Sequence, residues 1–139
     1  MTISLLLAHA PKAKPRPHSR PGGGRYSPKD YEDWRGEIAL LAQEQYRGEP
    51  LTCPLQVSII IAGPQRGRAD LESYVGALMD ALGGYRKGNR PGIAFDDDDQ
   101  ILVLEARFEA APDWLLSVTI REIAAPDYPK PAKKKKAKA

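Results

Sequence analysis

Residues 55–82 read LQVSIIIAGPQRGRADLESYVGALMDAL, and their hydrophobic period changes midway. Residues 55–62 are rich in β-branched side chains and predict a strand largely covered on both faces. Residues 63–69 (GPQRGRA) predict a loop that carries Arg66 and Arg68. From there Leu71, Tyr74, Val75, Leu78, Met79 and Leu82 recur at three- and four-residue steps, the spacing of one helical face. Gly83 and Gly84 stop that helix.

Downstream, the polar loop GYRKGNRPG (residues 84–92) leads to four consecutive aspartates at 96–99. Residues 101–110 and 114–123 then predict two strands, joined across Ala111, Pro112 and Asp113 as a hairpin. Upstream, Ser27 as N-cap, Pro28 at the first helical position and Asp30 as the capping-box acid predict a helix to about residue 46. Its apolar stripe is Tyr31, Trp34, Ile38, Leu41 and Ala42. Residues 3–9 predict a first strand, and residues 11–24, rich in proline, glycine and cations, an extended mobile loop without a regular element. The order β, α, β, α, β, β predicts an α+β single domain, with one mixed sheet of about four strands and two main helices packed on it. Strand order does not follow from the pattern.

The chain has 139 residues, 42% apolar and 28% charged, which suits one hydrophobic core and excludes wholesale disorder or a fibrous protein. No segment approaches the roughly 20 apolar residues of a membrane span. Leu5, Leu6 and Leu7 before Ala8, His9 and Ala10 mimic a signal-peptidase site, but no cation precedes this short run, so a strand is expected. The single Cys53 has no disulfide partner and a cytoplasmic location is expected. His9 and His18 are too far apart, in a region expected to be mobile, to suggest a zinc pair.

Charge is segregated along the chain. Residues 1–26 hold five cations (Lys12, Lys14, Arg16, Arg20, Arg25) and no acid, residues 125–139 carry a net +5, and residues 27–124 a net −7. The domain is therefore set at residues 1–124, with 125–139 a disordered lysine-rich tail. Basic arms on an acidic body suit a protein that approaches a polyanion while keeping a carboxylate cluster in a cleft. Asp70 and Glu72 open the second helix, and residues 96–99 immediately precede a strand. Strand-end carboxylates of this kind form oxygen-rich sites for Mg²⁺ or Mn²⁺. The repulsion among four adjacent aspartates calls for a dication or a basic loop nearby. By the residues alone, Asp70 as a plain helix cap and 96–99 as a solvated turn is the favoured reading. No EF-hand, Walker or dinucleotide motif is present.

The run RADLESYVGALMDAL at 68–82, followed by DDDQI at 97–101, resembles the RusA family of Holliday junction resolvases, whose pattern is D-x-D-N-x-x-K-x-x-x-D-[AS]-L and then D-D-x-Q-[IV]. PKAKPRP at 11–17, RYSP at 25–28 and Trp34 are similar to further landmarks of that family. The resemblance implies a homodimeric, Mg²⁺-dependent endonuclease, often phage- or prophage-encoded, that makes paired symmetric nicks in four-way DNA junctions in recombination and repair. Asp70, Glu72 and Asp98 would be the catalytic and metal-binding acids, with Asp97 beside them, Gln100 fixing the register and Asp80 a further family aspartate. Lys12, Lys14, Arg16, Arg20, Arg66, Arg68, Arg86 and Lys87 would contact DNA.

Three positions depart from the family pattern. Glu72 lengthens an acid by one methylene, Ser73 replaces asparagine, and Gly76 replaces a lysine that would stabilise charge at the scissile phosphate. That charge would have to come from Arg68, Arg86 or Lys87; without it, the alternative is a RusA-like protein that binds branched DNA and cuts weakly or not at all. A further alternative, Glu105 and Arg107 as a remnant of a restriction-type motif, is better read as an exposed strand edge.

Overall fold

The computed structural model describes residues 1–15, 18–19, 25–26 and 28–129. Strands β1 (Thr2–Leu7), β4 (Leu55–Gly63), β5 (Ile101–Ala110) and β6 (Leu115–Glu122) form one mixed sheet in the order β1-β6-β4-β5. Helices α1 (Lys29–Gln45) and α2 (Leu71–Leu82) complete the α+β domain. β4 is central, parallel to β5 (Gly63 opposite Ala110) and antiparallel to β6 (Val57 opposite Ile120); β1 is antiparallel to β6 (Leu5 opposite Val118).

Two expectations about the strands are corrected. Residues 101–123 do not form a hairpin, because β5 and β6 lie on either side of β4. The apolar centre of β4 takes a neighbour on each edge, and residues 111–114 step across its end, a distance of roughly 10 Å for two strand spacings. Ala111 N–H donates to the Gly63 carbonyl (2.9 Å), and the Trp114 ring lies where a Cβ on residue 63 would stand, 2.0 Å away. Glycine at position 63 is what lets this step close. Nor is β4 covered on both faces. Leu55, Val57, Ile59 and Ile61 are buried, while Gln56, Ser58, Ile60 and Ala62 are only half-buried on the opposite face. Gln56 and Ser58 were the polar alternation that marks a one-sided strand.

The helices share the buried face. Tyr31, Trp34, Ile38 and Ala42 from α1 join Tyr74, Val75, Leu78 and Leu82 from α2 over the buried residues of β1, β4 and β6, with Ile101, Ala106 and Phe108 of the edge strand β5 partly buried against them. α1 starts one residue later than the capping signal predicts: Pro28 is its N-cap with no side-chain cap bond, Ser27 lies outside the described residues, and Asp30 binds Lys12 (3.0 Å). α2 matches its predicted bounds. Gly83 ends it because a Cβ there would sit 2.2 Å from the buried Phe95 ring, and at Gly84 one would sit 2.6 Å from three backbone atoms.

Residues 11–24 also differ from expectation. His18–Ser19 (β2) pairs with Arg25–Tyr26 (β3), so a short regular element exists there. Two-residue strands carry no period long enough to read from sequence. Residues 9–15 are docked, as the site shows.

Candidate functional site

α2 runs antiparallel to β5. Its first turn packs Tyr74 edge-on against Phe108 (centroids 6.0 Å apart), and its last residues meet Phe95, which precedes β5. This direction sets where the acids fall.

At the N-terminal end, Gly67 (φ 88°) turns the loop in the left-handed region and leaves room for the Tyr74 hydroxyl. Asp70 is the N-cap of α2, its Oδ1 accepting from Ser73 N–H (3.0 Å). The facing Ser73 hydroxyl, and then this N–H, hold the Asp70 carboxyl below its ordinary range. Glu72 is exposed beside it, and Glu72, Gly76 and Asp80 follow one another at four-residue steps along one face. Arg66 and Arg68 are exposed on the preceding loop, the Arg66 guanidinium 5.4 Å above the Phe108 ring.

Beyond the C-terminal end lies the acidic turn, which is tightly organised. Gln100, 7% exposed, accepts from the N–H groups of Asp96 (2.8 Å) and Asp97 (2.7 Å) and donates to the carbonyls of Leu51 (2.7 Å) and Cys53 (3.0 Å). Arg86 is the basic loop the four aspartates called for. Its guanidinium binds Asp96 (2.9 Å) and Asp99, and its N–H donates to Asp97 (3.2 Å). Asp97 and Asp98 are shifted in opposite directions. The Arg86 N–H pulls Asp97 below the usual carboxylate range, whereas the hydrogen bond to Asp97, partial burial and the charges of Asp97 and Asp99 push exposed Asp98 above it. Lys87 is exposed on the same loop as Arg86.

The N-terminal arm crosses both helices. His9 Nε2 meets Glu37 (2.6 Å), Trp34 Nε1 donates to the Ala10 carbonyl (2.9 Å), and Lys12 pairs with Asp30 (3.0 Å). Lys14 N–H then donates to the Ser73 carbonyl (3.1 Å), and its ammonium reaches Asp80 (3.3 Å). These contacts correct the expectation of mobility for residues 11–15 and for His9. Arg16, Arg20 and the tail lysines Lys130, Lys133, Lys134, Lys135, Lys136 and Lys138 lie outside the described residues.

The fold thus brings Asp70 together with Glu72, and Asp97 with Asp98, but sets the pairs at opposite ends of α2, a twelve-residue helix roughly 18 Å long. Among the described residues no three His, Cys, Asp or Glu side chains converge on a point that could hold a metal ion. The donors are of the hard oxygen type that Mg²⁺ prefers, yet within one chain they make two separate pairs and not a closed site. Sequence reasoning missed the anchoring role of Asp80, which accepts from Lys14 and from the Tyr31 hydroxyl (2.8 Å) and, after burial, is the main cause that raises the Tyr31 pKa. It also missed what Gly76 contacts.

Among the described residues no helix is long and apolar enough to cross a membrane. The chain is 26% identical over 81 residues to the protein named crossover junction endodeoxyribonuclease RusA of Aquifex aeolicus (strain VF5), a match covering 58% of this chain. The matched region spans 64% of that curated relative. The family model described as Endodeoxyribonuclease RusA matches residues 9–121, a span that takes in the docked arm, α2, the acidic turn and all but the first strand of the sheet. The chain belongs to the RusA endodeoxyribonuclease family.

Proposed function

We propose that this protein is a structure-specific endodeoxyribonuclease that resolves four-way DNA junctions by paired nicks. The observation that carries this reading is the family match over residues 9–121, a span that contains both acidic pairs and the docked basic arm. Asp70, Glu72, Asp97 and Asp98 are the candidate acids. At each nick a water oxygen bonds to phosphorus, the P–O3′ bond breaks, and the 3′ oxygen takes a proton, leaving a 5′-phosphate and a 3′-hydroxyl. Mg²⁺, with Mn²⁺ as substitute, is the expected cofactor; because the two acid pairs stand apart in one chain, no step is assigned to it. Lys12, Lys14, Arg16, Arg20, Arg66, Arg68, Lys87 and the tail would grip phosphates without reading bases, as suits a ligand recognised by shape. Arg86 reaches DNA only by releasing Asp96 and Asp99. A homodimer would match the two-fold symmetry of the junction, and the cytoplasm is the proposed location.

The separation of the acid pairs favours one second reading, a protein that binds branched DNA without cutting it. Cleavage of a labelled synthetic junction, beside a linear duplex of the same sequence, with Mg²⁺, Mn²⁺ or EDTA separates the two. Metal-dependent paired nicks confined to the junction support the resolvase; tight binding with no cut under either metal establishes the binder. Asp70→Asn, which preserves the helix cap, is expected to lower the cleavage rate by about 10².

A further inference from the structure

Among the described residues, Lys14 is the arm residue tied to α2 through both backbone and side chain. Its N–H is fixed on the Ser73 carbonyl, and its ammonium, about half exposed, stands 3.3 Å from Asp80. Between these points its aliphatic stem runs past Gly76: a Cβ on residue 76 would stand 3.4 Å from Lys14 Cδ and 4.0 Å from its Cβ. Both distances are ordinary van der Waals contact, so the Lys14 stem lies alongside the open face of α2 at Gly76. The ammonium is delivered between the two acid pairs, on the same face as Glu72 and Asp80. Its charge also acts on Asp98, where it opposes the rise caused by Asp97.

The other cations near the acids are arranged differently. Arg86 is bound to Asp96 and Asp99, Lys12 to Asp30, and Arg66 lies over Phe108. The Lys14–Asp80 pair leaves two ammonium protons for another acceptor.

We propose that Lys14, held alongside Gly76 and aimed by Asp80, is the cation that contacts the phosphate being cut. The resemblance pointed to Arg68, Arg86 or Lys87 for this charge, of which Arg68 and Lys87 are exposed on the loops at the two ends of α2; the docked arm supplies one placed along α2 itself. Lys14 acts as a catalytic residue here, through an N–H bond to a non-bridging phosphate oxygen, and Asp80 as its positioning residue.

This inference rests on the nuclease reading, and its test uses two readouts on the full chain. Lys14→Met keeps the stem beside Gly76 and the backbone bond while removing the charge. Junction affinity measured against salt in EDTA should lose about one unit of log–log slope in Lys14→Met and regain it in Lys14→Arg. Cleavage with Mg²⁺ should fall about 10²-fold in Lys14→Met at an unchanged melting midpoint. It should recover at least about tenfold of that loss in Lys14→Ala/Gly76→Lys, where the ammonium returns from the helix itself. An unchanged slope and rate in Lys14→Met overturns the proposal, as does a slower enzyme that Lys14→Ala/Gly76→Lys leaves unrescued. If the native chain cuts with neither metal, the nuclease reading falls. The salt slope still decides whether Lys14 meets a phosphate: a loss supports the contact, and no change overturns it.

Discussion

The two acidic turns at the ends of α2 are held by opposite means. Asp70 is stabilised by the helix it caps, through the hydroxyl and N–H of Ser73, and it and Glu72 are otherwise open to solvent. Asp96, Asp97 and Asp99 are instead occupied by Arg86, and the backbone of their turn is pinned from beneath by Gln100. A ligand can approach the first turn without displacing any cation but must compete with Arg86 at the second. Two equally acidic segments therefore differ in what they offer a polyanion or a metal, and the difference lies in the neighbours and not in the acids.

The sharpest way to break this comparison is at Gln100. Its amide makes four hydrogen bonds that together tie residues 96 and 97 to the chain at residues 51 and 53. Gln100→Leu leaves the Asp97 N–H and the Cys53 carbonyl without that bond, while Asp96 N–H and the Leu51 carbonyl keep each other (3.1 Å), at about 1–3 kcal/mol for each group that water does not reach. A loss of about 3–5 kcal/mol in urea unfolding is expected on that basis. A loss below about 1 kcal/mol would mean that Arg86, and not Gln100, holds the second turn.

Next in size is the packing that brings this turn to the end of α2. A Cβ at position 83 would meet the Phe95 ring at 2.2 Å, and Phe95 is fully buried, so the ring cannot swing out. Gly83→Ala should cost about 1–3 kcal/mol, read from thermal unfolding. A neutral result would show that the segment leading to the acids yields easily.

The first turn is tested by paired substitutions. Asp70→Ala removes the acceptor for Ser73 N–H and should lower the melting midpoint by about 3 °C, whereas Asp70→Asn keeps a good cap and should leave it within about 1 °C. Equal losses in both would show that Asp70 acts through its charge on the fold and not as a cap.

Much of this was legible in the sequence because long periodic segments state their own faces. The six apolar positions of α2 and the β-branched run of β4 marked the core elements on either side of the loop that leads to Asp70, although the polar Gln56 and Ser58 that make β4 one-sided were passed over. Strand order was not legible, since the short connection at 111–113 suits a hairpin as well as a step across β4; the deciding contact, Trp114 on Gly63, lies between residues far apart in sequence. The acids of the candidate site were readable as residue types, and so was the need for a neutralising loop, met by Arg86. Their distribution over the two ends of α2 was not, because it depends on α2 running antiparallel to β5. The docking of residues 9–15 was hidden for a different reason: proline, glycine and lysine carry no period, and what fixes them is a set of single contacts, on Glu37, Trp34, Asp30, Ser73 and Asp80.

The smallest expected effect concerns Asp98, the acid of the second turn that Arg86 does not bind. Its pKa is raised in the fold, first by the hydrogen bond to Asp97, then by partial burial and the charges of Asp97 and Asp99, with Lys14 opposing. The protonated form is therefore the one the fold favours: its contribution to stability is fully present below the unfolded value near 3.8 and is lost as pH rises through the higher folded value. Asp97 has the opposite sign, its stabilisation present above the unfolded value and lost as pH falls through the depressed folded one. At neutral pH the turn thus keeps the benefit of Asp97 and carries the repulsion of ionised Asp98. Asn at position 98 mimics the protonated acid at every pH, so Asp98→Asn should raise the melting midpoint by about 1 °C at pH 7 and leave it unchanged near pH 3, a small effect because the group is exposed. A lowered midpoint at pH 7 would mean that the attraction of Lys14 exceeds the repulsion of Asp97 and Asp99, and that the cation on α2 already joins the two acidic ends before any ligand arrives.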